Sequence, residues 1–292
     1  MTRIILRAMC ALVLLAAGAA WAQNNESELR AAQQAAEQAR VDGPATIALN
    51  DQARLKLPAG QVFVPREAAA RLLASMGNRV DERLLGAVFP ADGAGWFAVL
   101  RFIADGYVKD DDAKAWSADV LLHSLREGTA ASNEERTDRG LPAIEVVGWA
   151  EPPRYEAGSH QLVWSASTRR QGEAAETAGL GVNYNTYKLG REGYISLNLV
   201  TRLDLLERHR PAALALLAAT DYRDGKRYAD FDGRNDKVAA YGLATLVAGG
   251  SAEQPGASGF LARFAVAILL AAAVLVWLVL RVRRRNRGAQ PA

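Results

Sequence analysis

Gly193-Tyr194-Ile195-Ser196-Leu197-Asn198-Leu199-Val200 is the stretch that decides the fold. Ile195, Leu197 and Leu199 alternate with Tyr194, Ser196 and Asn198, a period of two that places one side of a strand in a core. Residues 143–150, 160–168 and 181–189 read as three more strands of the same kind. Upstream, residues 45–49 and 54–64 pair across Asn50-Asp51-Gln52, and residues 87–89 and 96–103 pair around Ala91-Asp92-Gly93-Ala94-Gly95. Strands arrive in runs with helices between them, which predicts an α+β fold: an antiparallel-sheet-rich domain with peripheral helices, not a parallel α/β fold.

The helices are read from apolar spacing and punctuation. Residues 24–40 are rich in Ala, Gln and Glu, with Leu29 as the one large apolar side chain, and form a peripheral helix ended by Gly43-Pro44. Pro65 opens a short helix to Met76. Asp110-Asp111-Asp112 precede a helix to about Arg126, striped by Ala118, Leu121, Leu122 and Leu125 and stopped at Gly128, with residues 132–139 a polar turn or short helix. Thr201 and Asp204 suggest a capping box, Pro211 a break into two helical pieces, and residues 237–248 a last apolar helix.

Both ends carry address signals. Residues 1–22 have the parts of an export signal: Arg3 and Arg7, an apolar core, and Ala20-Trp21-Ala22 as the cleavage pattern, so the mature chain begins at Gln23. The single cysteine, Cys10, lies inside that signal, so the mature chain has no disulfide, no thiol nucleophile and no Cys–metal site. Residues 264–280 hold no charge, and their eleven Leu, Ile, Val and Phe residues favour spanning by roughly 3–7 kcal/mol. With Arg263 snorkelling, the span reaches back to Phe260, giving a transmembrane helix over 260–280. Five arginines follow at once in the tail 281–292, which predicts a cytoplasmic C-terminus by the positive-inside rule. The expected organisation is a signal (1–22), a polar helical lead-in (23–42), a periplasmic domain (43–250), a linker (251–259), the span and the basic tail. Of the 35 lysines and arginines, 27 fall in the exported region against all 32 carboxylates, a net charge of −5. That balance excludes a nucleic-acid footprint.

Three stretches carry a family likeness: residues 148–155 (Gly-Trp-Ala-Glu-Pro-Pro-Arg-Tyr), residues 193–200, and Tyr228-Ala229-Asp230-Phe231 through Asp236-Lys237-Val238-Ala239-Ala240-Tyr241-Gly242. In this order, between an export signal and a C-terminal anchor, the chain resembles a bacterial family of membrane-anchored proteins catalogued as domain of unknown function 2167. The resemblance covers residues 43–250. It implies the topology and one exported unit, and it brings no activity or catalytic residue with it.

Chemistry-bearing patterns are sparse. Asp230, Asp232 and Asp236 resemble part of a calcium loop, but no third ligand precedes Gly233 and no Glu closes it; a turn with Asn235 or Asp236 capping a helix explains them. His123, His160 and His209 lack zinc-ligand spacing. Neither a G-x-S-x-G elbow nor S-x-x-K occurs, and Gly179-Leu180-Gly181 lacks the setting of a phosphate loop. No catalytic residue, metal or cofactor is assigned. Aromatics are the remaining signal: Trp149, Tyr155, Trp164, Tyr184, Tyr187 and Tyr194 fall across the sheet, and Trp149, Tyr155, Tyr184 and Tyr187 are the candidate ligand-binding residues. Core filling competes with that role, and the alternation of Leu162, Trp164 and Ala166 predicts Trp164 buried, with Trp149 and Tyr155 at an edge beside Pro152-Pro153.

The expected function is a non-enzymatic binding module of the cell envelope, single-pass in the bacterial inner membrane, with an envelope protein, glycan or lipid as partner. Two alternatives remain open: an envelope hydrolase whose site gathers distant residues such as His160 or His123 with an acid and a hydroxyl, and a sensor acting through a membrane partner, since the tail is too short for an output domain.

Overall fold

The computed structural model describes residues 27–248, except 77, 79, 139 and 174–179. The predicted signal, linker, membrane span and tail lie outside the described residues. Among the described residues no helix is long and apolar enough to cross a membrane.

The centre is an eight-stranded antiparallel sheet. In chain order the elements are a helix over residues 27–39 (α1), β1 (Val41–Asp42), β2 (Ala45–Leu49), β3 (Ala53–Leu57), β4 (Gln61–Pro65), α2 (Arg66–Ser75), β5 (Leu84–Pro90), β6 (Phe97–Ile103), β7 (Tyr107–Lys109), α3 (Ala118–Asp138), β8 (Ile144–Glu156), β9 (Gln161–Arg170), β10 (Gly181–Leu189), β11 (Tyr194–Arg202), α4 (Leu206–Ala218), β12 (Thr220–Tyr222), β13 (Val238–Gly242) and α5 (Leu243–Val247). The main sheet runs β1-β4-β5-β6-β11-β10-β9-β8, so the two antiparallel runs seen in the sequence meet at the β6–β11 pairing. Gly193 lets them meet: at φ +154°, a Cβ there would lie 1.8 Å from the Ile103 carbonyl oxygen.

The period of two in β11 sorts its residues between layers. Ile195, Leu197 and Leu199 enter a core closed by α4 and by the small sheet β12-β3-β2, with Leu55, Tyr184, Leu216 and Tyr222. Tyr194 enters a second core on the opposite face, with Trp164, Tyr241 and Leu246, beneath α5 and the parallel β13–β7 pair. A third core on that same face packs α1 and α2 on β4, β5 and Val99. The observed class is α+β, dominated by a large antiparallel sheet with few helices.

Five local expectations are corrected. Residues 54–64 are two strands, not one: Pro58-Ala59-Gly60 turns the chain, with Gly60 at φ +76°, sending β3 to the small sheet and β4 to the main one. Gly128 does not stop α3, which continues to Asp138. A Cβ at Gly128 would sit 3.2 Å from the Ala248 carbonyl oxygen, so close packing on the end of α5 favours glycine there. Pro211 does not split α4, because its missing hydrogen bond is on the exposed side where water solvates the Glu207 carbonyl. The capping box does not form, since the Thr201 hydroxyl bonds His209 Nδ1 at 2.7 Å and Asp204 pairs with Arg202. Residues 238–242 are a strand, with Ala239 and Tyr241 buried on alternate positions, and only 243–247 are helical.

Helix α3 is long because it covers the end of the sheet. β8 is an edge strand, and exposed edges recruit other strands. Asn133 answers this like a neighbouring strand: its Nδ2 donates to Ile144 O at 2.8 Å, and its Oδ1 accepts from Ile144 N at 2.9 Å. Arg126 donates to the carbonyls of Val146 and Val147. Farther along, β8 passes through Pro152-Pro153 as a bulge between Glu151 and Arg154 instead of breaking there.

Candidate functional site

The chain reverses between β8 and β9 with His160 at φ +51°, which turns its imidazole back toward the strand it has just left. Tyr155 and Trp149, both on β8, point to the same face. The connection after β7 brings Asp110 beneath them. The Tyr155 hydroxyl donates to Asp110 Oδ2 at 2.7 Å and lies 3.2 Å from His160 Nδ1. With its one proton on Asp110, the phenol oxygen accepts from Nδ1–H and leaves His160 Nε2 as an acceptor. The imidazole stacks on Tyr228 at 4.1 Å, Tyr228 on Tyr107 at 4.3 Å, and Tyr107 on Phe231 at 3.9 Å. Residues from β7, β8, the 228–231 turn and the β8–β9 reversal thus form one polar–aromatic cluster.

Beside it opens a hollow of about 390 Å³, lined by Asp110, Ala113, Lys114, Trp116, Pro153 and Tyr155. Two of its lining side chains, Trp116 and Tyr155, are aromatic, and Asp110 and Lys114 add one carboxylate and one ammonium. Asp112, in the same connection, faces away: Oδ1 accepts from Leu243 N at 3.1 Å and Oδ2 from Ala244 N at 2.9 Å, capping α5. A Cβ on Gly242 would lie 2.5 Å from that carboxylate. One member of the acidic triplet, Asp112, serves a helix N-terminus, that of α5 and not, as the sequence suggests, that of α3.

Histidine, acid and hydroxyl are gathered here, the arrangement that distinguishes a hydrolase from a binder. Burial, followed by the Asp110 hydrogen bond and charge, raises the Tyr155 hydroxyl above the ordinary tyrosine range, so it is a poor nucleophile at neutral pH. Burial lowers the His160 pKa, with Asp110 opposing more weakly, so the ring is neutral at pH 7. The phenol's one proton is already committed to the Asp110 carboxylate.

The four candidate aromatics do not form one surface. Trp149 donates its Nε1–H to Ala118 O at 3.0 Å, tying β8 to the start of α3. Tyr155 lines the hollow. Tyr187 is edge-on to Trp164 at 4.7 Å, inside the second core. Tyr184 is fully buried on the opposite face and donates to Glu151 Oε2 at 2.9 Å. Trp164 is 4% exposed, as its alternation suggests. The sequence gives Asp110 only a place in the charge before a helix and says nothing of Lys114 and Trp116, because only the fold carries the β7–α3 connection to β8. The other histidines serve elsewhere: His123 is exposed near Glu127, and His209 is buried against Thr201. Asp236 receives both Arg191 Nε and Nη2, at 2.7 and 2.8 Å, and also the Asp232 N–H. Among the described residues no group of three His, Cys, Asp or Glu side chains is placed to hold a metal. A second hollow, of about 440 Å³, lies between α3 and β8, but Arg126, Asn133, Glu145 and Arg169 along it are paired with the fold itself.

Residues 41–281 match the family described as Protein of unknown function (DUF2167), and the chain belongs to that family. No curated protein matches it. Among solved structures, the solution structure of cyanobacterial PsbP (CyanoP) from Synechocystis sp. PCC 6803 is similar at a TM-score of 0.37 and 11% identity, over 63% of this chain and 91% of that one. A Pseudomonas aeruginosa protein of unknown function, PA94, described as a putative regulator, is similar at a TM-score of 0.22 and 14% identity, over 57% and 89%. At those scores neither likeness bears on function.

Proposed function

We propose that this protein is a non-enzymatic binding module of the bacterial cell envelope, held in the inner membrane by residues 260–280 with its folded domain in the periplasm, and that it engages a partner polypeptide through the hollow at Trp116 and Tyr155. The observation that carries this reading is the Tyr155 phenol fixed between Asp110 and His160 in a hollow that Trp116 also lines. Aromatic rings held in one rotamer give contact area at little entropic cost. Asp110 and Lys114 in its lining suit the backbone and charged groups of a peptide segment. Strand addition at β8 is disfavoured because Arg126, Asn133 and the two prolines blunt that edge. The export signal and the arginine tail support the location.

A photoreactive residue placed at Lys114 in the full-length protein, in its native membrane, tests this directly. It is expected to form a discrete protein adduct, whereas the same residue at Val120, 63% exposed on α3, is not. Equal labelling from both positions, or none from position 114, refutes the contact site.

A further inference from the structure

The face of the main sheet that carries Tyr155 is covered at its two ends. α1 and α2 lie over β4 and β5, while α5 and the β13–β7 pair lie over Tyr194 and Trp164. Between these covers, β6, β11 and β10 present two cross-strand rows. The register sets Arg101 opposite Ser196 and Ser196 opposite Tyr187 in one row. Val99, Asn198 and Asn185 form the next. Exposure rises along β11 from Tyr194, 4% exposed, through Ser196, 8%, to the half-buried Asn198. The strip is a polar band in an otherwise apolar sheet face.

Two of its groups are left wanting partners by the described residues. Arg101 is partly buried, and burial is what most lowers its pKa; the fields of Asp81 and Tyr187 oppose that shift and the field of Arg83 adds to it. Asn198 Oδ1 is buried without a hydrogen-bond partner. A partly buried guanidinium that Asp81 reaches only through its field, beside an orphan amide oxygen, leaves hydrogen-bonding capacity that a ligand can take up. Tyr187 supplies a hydroxyl beside the guanidinium: after burial, Arg101 and Ser196 are the groups acting on that phenol. Strand geometry puts the Asn198 row about 6.6 Å from the Arg101 row, two residues along.

We infer that Arg101, Ser196 and Tyr187 form the anion-binding end of a ligand site on this sheet face, and that Asn198 accepts a hydrogen bond from a donor elsewhere on the same ligand. The ligand is a small organic anion, a carboxylate or a phosphate, bearing a hydroxyl or N–H several ångströms from its charge. Guanidinium suits both anions because its forked N–H groups match two oxygens at once. The band lies on the same sheet face as Tyr155, shares none of the residues lining the hollow at Trp116 and does not depend on that reading.

The test is thermal unfolding of the full-length protein in detergent, with glycerol 3-phosphate or lactate as probe and sodium chloride at matched ionic strength as reference. At least one probe is expected to raise the melting temperature saturably. Arg101→Gln is expected to weaken that response at least about tenfold, the effect of losing ~1.4 kcal/mol of binding, and to melt higher than the parent without probe, because it removes a partly buried cation. Response to glycerol 3-phosphate alone assigns phosphates; response to lactate alone assigns carboxylates. If Arg101→Gln fails to fold, Ser196→Ala and Asn198→Leu replace it, each expected to cut the response severalfold. No saturable response to either probe, or one that all three substitutions leave unchanged, overturns the site.

Discussion

Asn133→Ala tests the edge-capping role of α3 quantitatively. The substitution removes two hydrogen bonds, 2.8 and 2.9 Å long, that join the helix to Ile144 of β8. Each net bond contributes about 1 kcal/mol, and Ile144 is only half-buried, so its freed N–H and C=O recover some water. The gross loss is therefore about 2 kcal/mol. Alanine is the better helix former by ~0.6 kcal/mol, which opposes it. The net expectation is a loss of ~1.5 kcal/mol, or about 4 °C in melting temperature for a domain of this size. Urea titration of the fragment 23–258, which contains all three cores, reads it, with exposed Ser132→Ala as the reference, expected within about 0.5 kcal/mol of the parent. Opening the edge should also produce concentration-dependent association in sedimentation velocity. A loss below about 0.5 kcal/mol, with the variant still monomeric, would refute the idea that Asn133 stands in for a neighbouring strand.

Three further outcomes follow from the same structure. Trp164→Ala should cost about 3–5 kcal/mol, since the indole is 4% exposed, while Trp116→Ala, half-buried where it lines the hollow, should cost less than half as much; equal losses in urea unfolding would show that both are simply core. The Glu192 carboxylate accepts two bonds from Lys226 Nζ and one from Gln52, chiefly the first of which holds its pKa below the usual carboxylate range. Because its folded value is depressed, its stabilising contribution is present above the unfolded value of roughly 4.3 and lost as pH falls through the folded value; Glu192→Gln should flatten the acid limb of the stability profile below about pH 4.5, and an unchanged limb would contradict it. Protease added to spheroplasts should digest the folded domain and leave a small membrane fragment, whereas full protection of the domain would refute the proposed location.

What the sequence made legible was whatever periodicity records. The alternation in Ile195, Leu197 and Leu199 set one face of β11 correctly and, with its neighbours, the antiparallel class. Local stop signals misled wherever tertiary contacts outweighed them. Gly128 and Pro211 lie inside helices because packing on Ala248 and solvent at the Glu207 carbonyl compensate for them. Val238 to Gly242 alternates weakly, and only its pairing with β7 settles it as a strand. The hollow was legible through Tyr155 alone. Asp110 and Trp116 are about forty residues away along the chain, and nothing in their local pattern says that the connection folds under β8. Asp110-Asp111-Asp112 looked like one charged run, yet neighbouring members take opposite duties, one orienting Tyr155 and one capping α5.

The central claim is that the hollow at Trp116 and Tyr155 is a contact surface separable from the fold. Its most direct test is the adduct yield from a photoreactive residue at position 114, compared between the parent full-length protein and the same protein carrying Trp116→Ala. Removing a central aromatic anchor should cost the contact 1–2 kcal/mol or more, a drop of about tenfold in yield at subsaturating partner, while the variant remains folded and membrane-associated. An undiminished yield from the folded variant would contradict the account.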